Sequence, residues 1–320
     1  MSVIRVANQR LLALPVMRVA YSDRTAVTMA AMAKAAYKSG DDIRNEIAPF
    51  HFSLVDEFHE KDTDGYLARH NEKEMIVVAF RGTEISKKKQ FEDVKTDLKA
   101  RLKDIGSGAK VHTGFWDSYG LVAGKIEKHL ADFPGYAIYI TGHSLGGALA
   151  VVCARQFNDD NIAACYTFGS PRVGNLKFID KVKVPIYRVV NADDGVPRIP
   201  PPGWGVQILL FLSAFLTFLP SNLYMALARY LNGIREYVHY GDERYLTACK
   251  DRDSNSSLTP DDNLERYPDY SDVCLVSNAD ISTRLSQRWR RFWQNWTAFL
   301  DDHNIARYYK KLEAYASQRN

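Results

Sequence analysis

The sequence predicts an α/β protein in which helices cover both faces of a mostly parallel central sheet. Apolar runs of strand length occur at residues 74–80, 163–168 and 185–190, as expected of strands buried on both faces. Segments of helical character separate these runs. A serine between two glycines joins a strand-like run at 137–140 to an Ala-rich run at 145–157. This is the pattern of a strand that turns directly into a helix.

Length and composition allow one large domain. The chain has 320 residues, 46% of them hydrophobic, and no Pro/Ser-rich linker divides it, so we expect a single domain over residues 1–320. The net charge of +4 is small and spread along the chain. It gives no support to a nucleic-acid partner and leaves a mild preference for anionic lipid open.

The cysteines and histidines predict no metal or cofactor. Cys153, Cys165, Cys249 and Cys274 show neither C-x-x-C spacing nor the density of a disulfide scaffold, so buried free thiols are expected. No His/Cys/Asp cluster has zinc-like spacing. Polar residues interrupt residues 1–10, so no cleavable secretory leader is expected. The expected location is the cytoplasm or, without a standard leader, outside it, with peripheral membrane attachment as an option.

The N-terminal part predicts a helix followed by an antiparallel edge. Residues 26–37 form an Ala/Met-rich run of good helix propensity that Gly40 can cap. Residues 50–58 and 64–69 alternate apolar and polar side chains, which is typical of half-buried strands, with a turn at 61–65 between them. The helix should cover one face of the sheet.

Ser144 is the candidate nucleophile. Gly142 and Gly146 stand two residues before and after it, in the spacing G-x-S-x-G. These positions approach each other across a strand-to-helix turn, where side chains would block the strained backbone that exposes the serine. The helix N-terminus favours negative charge, and the Leu145 amide points to where a tetrahedral oxyanion would form. Leu145 is therefore the first predicted oxyanion donor.

The loop after the strand at 74–80 predicts a second oxyanion donor. Gly82 and Thr83 lie in this loop, and Thr83 can offer both its amide and its hydroxyl. Taken alone, the loop is equally an ordinary glycine turn. Its combination with Ser144 favours the catalytic role.

Two helices are predicted between that loop and the Ser144 turn. Apolar residues at helical spacing from Phe91 to Ile105 indicate an amphipathic surface helix, and a second helix ends near residue 130. The segment 85–105 lies between an oxyanion loop and the nucleophile. It is either a mobile lid or a helix that only covers the core.

A carboxylate is expected after the strand at 185–190. The carboxyl ends of parallel strands collect the chemistry at one edge of a sheet, so the loop at 191–197 is the place to seek an acid. That loop contains Asp193 and Asp194.

Four motifs together resemble the class 3 lipases, a family of fungal-type triacylglycerol lipases with bacterial and plant relatives. They are Gly142-His143-Ser144-Leu145-Gly146-Gly147-Ala148, Arg81-Gly82-Thr83, the segment 167–175 and Asp194-Gly195-Val196-Pro197. The resemblance runs from about 75 to 201, resumes at 237–241 and ends near His303. It implies an α/β-hydrolase fold and a Ser-Asp-His triad, in that chain order, acting on lipid esters.

The resemblance assigns a role to each matching residue. Ser144 corresponds to the nucleophile. The family's acid lies two residues before a Val-Pro pair, which is Asp194, with Asp193 as the alternative if the doubled aspartate hides a one-residue slip. The family's base lies near the C-terminus, where His303 fits, and His239 is its rival. His143 and His112 flank tight glycine turns and are interpreted as structural.

An insertion at 202–234 departs from the family pattern. Its apolar run at 204–219 has sixteen residues, fewer than the roughly 20 that cross a bilayer. We expect an apolar helical hairpin near the mouth of the active site. Segment 204–231 would dock on a membrane or lipid-droplet surface, enclose an acyl chain or pair with another subunit. Burial in the core is the simpler alternative.

A second apolar segment, 284–300, carries aromatic side chains at helical spacing with arginines between them. It either packs inward and steadies His303 or lies at an interface.

The predicted function is that of a serine carboxylester hydrolase acting on lipid esters, an acylglycerol lipase with an acyl-enzyme intermediate. Ser144, Asp194 and His303 would form the triad, and Thr83 and Leu145 the oxyanion hole. The alternatives are a phospholipase of the same fold and a catalytically silent membrane-binding module. No cofactor is implied.

Overall fold

The computed structural model describes residues 17, 20–83, 102–157, 160–191, 194–201, 203–213, 221–248, 273–277 and 302–319. Over these ranges, the central feature is an eight-stranded sheet with the order β1-β2-β3-β6-β7-β8-β9-β10. The strands are β1 Phe52–Glu60, β2 Thr63–His70, β3 Met75–Phe80, β6 Ala137–His143, β7 Ile162–Phe168, β8 Ile186–Asn191, β9 Asp242–Ala248 and β10 Val273–Ser277. A separate two-stranded hairpin joins β4 Leu102–Asp104 to β5 Lys110–His112.

The five strands from β3 to β9 run parallel to one another. Strands β1, β2 and β10 are antiparallel to their neighbours and close the two ends of the sheet. The mostly parallel sheet predicted from the apolar runs is confirmed, as is the antiparallel edge at the N-terminal side. Every residue of β3, β6, β7 and β8 is buried, because helices cover both sides of these strands.

Eight α-helices are described. They are α1 Asp23–Ala35, α2 Asp41–Ile47, α3 Thr113–Ala131, α4 Leu145–Gln156, α5 Leu176–Ile179, α6 Gly203–Ser213, α7 Ser221–Ile234 and α8 Ile305–Arg319. On one face of the sheet, α1 and α8 share a core with Tyr139, Tyr166 and Phe168. On the other face, α3 and α4 pack on Val78, Phe80 and Ile140. The C-terminal helix α8 is not among the helices that the sequence patterns predicted.

The predicted amphipathic helix from Phe91 to Ile105 is wrong at its end. Leu102–Asp104 is a β-strand that pairs with Lys110–His112, because residues 106–109 reverse the chain and bring the two short strands together. Gly106 and Gly108 hold the positive φ angles that this reversal needs. The rest of the candidate lid, residues 85–101, lies outside the described ranges.

The insertion forms a helical hairpin. Helices α6 and α7 enclose a small core of Val206, Leu231 and Ile234, to which Leu102 of the β4–β5 hairpin adds. A Cβ atom on Gly203 would lie 2.7 Å from the Arg235 carbonyl oxygen, so the chain leaves and returns at one point. Among the described residues, no helix is both long and apolar enough to span a membrane.

The expectation of free thiols is wrong for Cys274. Cys153 and Cys165 are free and buried, but Cys274 is disulfide-bonded. Cysteine spacing in the sequence shows which cysteines are near each other along the chain. It does not show which cysteines the fold brings together, and Cys274 lies on β10, whose place in the sheet was not predicted. Cys249 and the aromatic segment 284–300 lie outside the described ranges.

Asn175 links the β4–β5 hairpin to the sheet's helical layer. Its side-chain oxygen accepts hydrogen bonds from the amides of Lys110 and Phe178, at 2.9 and 3.0 Å, and its nitrogen donates to the Gly108 carbonyl at 2.9 Å. The residue is 8% exposed. It therefore caps α5 and satisfies a loop carbonyl at the same time.

We predict that Asn175→Ala lowers the free energy of unfolding by about 1–3 kcal/mol, because it removes the side-chain partner of the half-buried Lys110 amide and Gly108 carbonyl and the side-chain cap of α5. Urea denaturation followed by circular dichroism measures the change. Leu176→Ala is the matched control on the same helix, since Leu176 is 58% exposed, and its effect should stay within about 0.5 kcal/mol. Equal stability of the two variants would contradict the linking role of Asn175.

Candidate active site

The turn that carries Ser144 depends on two glycines in close contact. Ser144 joins β6 to α4 with φ +57°, a backbone conformation that non-glycine residues rarely adopt. A Cβ atom on Gly142 would lie 2.2 Å from the Gly146 carbonyl oxygen, and one on Gly146 would lie 2.4 Å from the Phe80 carbonyl oxygen. Neither position has room for a side chain. The sequence argument for this turn rested on the same steric requirement, and the structure confirms it.

Ser144, His303 and Asp194 come together at the carboxyl edge of the parallel strands. The Ser144 hydroxyl lies 2.8 Å from His303 Nε2, and His303 Nδ1 lies 2.8 Å from Asp194 Oδ2. All three side chains are buried, at 0%, 2% and 0% exposure in the order serine, histidine, aspartate. The carboxylate can accept only from an Nδ1–H, so Nε2 is left with the lone pair that faces the hydroxyl. The contacts are those of a serine-histidine-aspartate triad.

Three donors converge on the Asp194 carboxylate. Besides His303 Nδ1, the Tyr308 hydroxyl donates to Oδ2 at 2.6 Å and the Val196 amide donates to Oδ1 at 2.9 Å. Burial raises the pKa of Tyr308 well above its usual value, and the neighbouring Asp194 charge raises it further, so the hydroxyl keeps its proton. The backbone amide of Asn191 donates to the Tyr308 hydroxyl oxygen at 2.9 Å. The negative charge is thus fully hydrogen-bonded, which a buried carboxylate requires.

The loop after β3 lies against the Ser144 turn. A Cβ atom on Gly82 would lie 2.3 Å from the His143 carbonyl oxygen and 3.0 Å from Ser144 Cβ, so a glycine is needed for this approach. Thr83 follows directly, and Thr83 and Leu145 are both half-buried. The positions are compatible with two amides that face one oxyanion. Their assignment as the oxyanion hole stays a prediction.

The other histidines named from the sequence have separate places. His239 Nε2 contacts the Pro197 carbonyl, and burial holds its pKa well below the usual value, with Arg188 and Arg172 adding to the effect. His112 caps α3 by accepting from the Phe115 amide at 3.3 Å. Asp193 lies outside the described ranges. Across the described residues, no group of three or more His, Cys, Asp or Glu side chains is arranged to hold a metal ion.

Sequence reasoning missed three polar residues around the triad. Tyr308 and Lys311 lie one turn apart on α8, and Asn191 lies at the end of β8. Lys311 donates to Asn191 Oδ1 at 2.6 Å and is 4% exposed. A signal for Tyr308 existed, since Ile305, Tyr308, Tyr309 and Leu312 fall at helical spacing. None existed for Lys311, because lysines on helices are almost always solvated.

Comparison with known proteins finds a family to which part of this chain is similar. The model of the family described as Lipase (class 3) matches residues 77–204, which include both glycine turns and Asp194. Over residues 77–204 the chain is similar to the class 3 lipases. The resemblance drawn from the four motifs is therefore confirmed.

The chain is similar to several fungal lipases. It is 36% identical over 157 residues to a lipase of Rhizomucor miehei, covering 45% of this chain and 42% of the relative. It is 36% identical over 150 residues to the "Secreted mono- and diacylglycerol lipase 1" of Fusarium solani, covering 44% of each protein. The solved lipase of Rhizopus microsporus var. chinensis superposes with a TM-score of 0.52 at 25% identity, covering 74% of this chain and 80% of that one. The fold is the α/β-hydrolase fold.

The sequence matches to curated relatives are partial. The chain spans about two fifths of the length of the curated relatives it matches, as the 39% coverage of a Rhizopus niveus lipase shows. The part of the chain that matches the family model includes the Ser144 turn and the acid loop but not His303, which lies beyond residue 204. His303 is placed beside Ser144 by the structure itself.

We predict that Gly142→Ala disables the Ser144 turn, because the added methyl group would lie 2.2 Å from the Gly146 carbonyl oxygen. Its free energy of unfolding should fall by about 3 kcal/mol or more. Gly120→Ala in α3 is the matched control, since nothing lies within 4 Å of its added methyl group. Alanine there should stabilise the helix by about 0.5–1 kcal/mol. Thermal unfolding of both variants tests the contrast, and a Gly142→Ala protein as stable as wild type would contradict it.

Proposed function

We propose that this chain is a serine carboxylester hydrolase that acts on lipid esters, in the manner of an acylglycerol lipase. One observation carries the proposal: an unbroken hydrogen-bonded series from Ser144 through His303 to Asp194, with both bonds at 2.8 Å. The match of residues 77–204 to the class 3 lipase model supports lipid esters as the substrate class. The name of the Fusarium solani relative, a mono- and diacylglycerol lipase, favours acylglycerols.

In the proposed reaction, Ser144 is first acylated by the ester and the acyl-enzyme is then hydrolysed. His303 Nε2 accepts the Ser144 proton as the serine oxygen attacks the ester carbonyl, and Asp194 stabilises the imidazolium that forms. The Leu145 amide, at the α4 N-terminus, and the Thr83 amide receive the oxyanion. The imidazolium then protonates the leaving alcohol, and a water activated by the same histidine releases the fatty acid. Tyr308 and the Val196 amide hold the Asp194 carboxylate in place by hydrogen bonds.

The catalytically silent alternative requires the same fold without an activated serine. It gains no support from the site, because all three triad side chains are present, buried and hydrogen-bonded to one another. Organophosphonate labelling separates the two functions, since only an activated serine reacts.

We predict that Ser144→Ala and His303→Ala each lower kcat for a short-chain glycerol ester by on the order of 10⁵–10⁶-fold. Asp194→Asn should lower it by about 10⁴-fold, because the amide favours the wrong imidazole tautomer. Asp193→Asn is the matched control and should retain wild-type turnover. Titration of released acid measures all four, with circular dichroism to confirm folding. Turnover at the wild-type rate in Ser144→Ala would sink the proposal.

The α6–α7 hairpin is proposed to dock on a lipid surface. Its outward face presents Ile208 (50% exposed), Leu209 (45%), Leu223 (52%) and Met225 (57%). Residues 202–234 contain no Asp or Glu, and Arg229 is their single charged residue. Arg235 follows at the base of the hairpin, and both arginines are exposed. An apolar face bordered by cationic side chains fits an anionic lipid surface.

The position of the hairpin makes such docking useful to the proposed reaction. Helix α6 begins nine residues after Asp194, so we infer that a lipid surface docked on the hairpin would lie on the side of the sheet that carries the triad. A lipid ester could then reach Ser144 without crossing water. This part of the proposal deepens the lipid-ester function and needs its own test.

We predict that the double variant Leu209→Glu/Met225→Glu binds phosphatidylglycerol vesicles at least about tenfold more weakly than wild type, because two apolar contacts are replaced by anionic groups. Cosedimentation measures the binding. Leu176→Glu, an exposed leucine on α5, is the matched control and should bind as wild type does. Turnover of a soluble short-chain ester should be unchanged in both. Undiminished vesicle binding by the double variant would rule out docking through this face.

A further inference from the structure

The two peptide carbonyls on either side of the His303 side chain are each held by a buried side chain. Asn191 Nδ2 donates to the Asp302 carbonyl oxygen at 2.8 Å, and His143 Nε2 donates to the His303 carbonyl oxygen at 2.6 Å. Asn191 is 0% exposed and His143 is 4% exposed. We call these two hydrogen bonds the backbone clamp.

The first half of the backbone clamp has only one possible orientation. Lys311 Nζ contacts Asn191 Oδ1 at 2.6 Å, and an ammonium group can only donate. The Asp302 carbonyl can only accept. The side-chain amide of Asn191 must therefore place its oxygen toward Lys311 and its nitrogen toward Asp302. Asp302 Oδ1 lies 3.9 Å from Lys311 Nζ and 3.6 Å from Arg307 Nη1, which pairs the charges of this cluster.

The second half is fixed by the same reasoning. The His303 carbonyl can only accept, so His143 Nε2 carries a proton. On the other side of the ring, Tyr37 lies with its hydroxyl oxygen 2.7 Å from His143 Nδ1. Burial holds the pKa of His143 well below its usual value, and the neighbouring His303 lowers it further. His143 is therefore neutral, Nδ1 is an acceptor, and the Tyr37 hydroxyl donates to it.

Neutrality of His143 matters because its ring lies beside the His303 ring, with 4.5 Å between centroids and 35° between planes. A positive charge on His143 would oppose the imidazolium that His303 becomes during acyl transfer. The neutral tautomer holds the His303 backbone without that cost.

The backbone clamp attaches the His303 backbone to the ends of the two strands that precede Ser144 and Asp194. His143 is the residue before Ser144 at the end of β6, and Asn191 ends β8 three residues before Asp194. His303 itself lies in the short irregular stretch 302–304 before α8, without the ladder hydrogen bonds of a strand. A displacement of about 1 Å at such a position is enough to cost on the order of 10²-fold in rate.

We propose that His143 and Asn191 are positioning residues that set His303 between Ser144 and Asp194 by holding its two flanking carbonyls, and that buried Lys311 orients Asn191 for this task. The inference rests on the proposed function, since it explains how that triad is aligned. His143 and Asn191 act through the backbone of residues 302 and 303 and not on the ester itself.

The test of His143 uses two amides of different length. In His143→Gln, the side-chain nitrogen reaches the place of the imidazole Nε2, whereas in His143→Asn it falls short. We expect His143→Asn to lower kcat for a soluble ester by about 10–100-fold with KM within about twofold. His143→Gln should recover kcat to within about fivefold of wild type. The rate of labelling by an organophosphonate should fall and recover in parallel.

The test of the other half uses Asn191→Leu, which removes the donor, and Lys311→Met, which keeps the stem and removes the ammonium. Both should lower kcat and the labelling rate while leaving KM within about twofold. His70→Gln is the control for substituting a buried histidine, because His70 is 2% exposed and lies at the opposite edge of the sheet. It should keep wild-type kcat. Rates are expressed per serine titrated at the end point, so that unfolded protein does not count.

The outcomes separate the clamp from the proposed function. Wild-type protein that neither hydrolyses esters nor reacts with the organophosphonate would overturn both. An active wild type whose His143→Asn and Asn191→Leu variants match it would overturn the clamp alone. Equal impairment of His143→Gln and His143→Asn would also overturn the role given to His143, because the hydrogen bond would not be what matters.

Discussion

The structure depends on the close approach of Gly142 and Gly146 across one turn. With no side chain at either position, β6 can pass into α4 in a single residue, and Ser144 takes the strain of a positive φ angle. The same approach brings Gly146 against the Phe80 carbonyl at the end of β3. The loop with Gly82 and Thr83 is thereby held beside the serine. One steric constraint thus fixes both the nucleophile and the segment predicted to receive the oxyanion.

The parallel sheet supplies the second part of the arrangement. Strands β6 and β8 end at the same edge, so Ser144 and the loop with Asp194 follow from the sheet order. His303 is different, because it reaches this edge from the end of the chain. Its position is determined by hydrogen bonds and by the packing of α8 on α1, in which Tyr308 and Leu312 are buried. Proton transfer requires a hydrogen-bond distance between Ser144 Oγ and His303 Nε2, and the order of strands in the sheet does not by itself set that distance.

Much of this could be predicted from local patterns, and the failures share a cause. The glycine turn, the apolar strands and the loop with Asp194 depend on residues close in sequence, so their spacing carries the information. Leu102–Asp104 is a strand although its leucine fits a helical spacing, since pairing with Lys110–His112 decides the outcome. Cys274 and Lys311 have partners that no periodicity indicates. Lys311 is the sharper case, because its burial reverses the usual expectation for a lysine on a helix.

The packing of α8 determines when, during folding, the triad residues come together. Tyr308 and Lys311 belong to the last described helix, and their hydrogen bonds reach back to Asp194 and Asn191 across more than a hundred residues. During synthesis, the serine turn and the acid loop leave the ribosome well before the segment that aligns the histidine. A nascent chain therefore holds a nucleophile without its base. Until the segment 302–312 has packed against the sheet, the serine has no base to activate it.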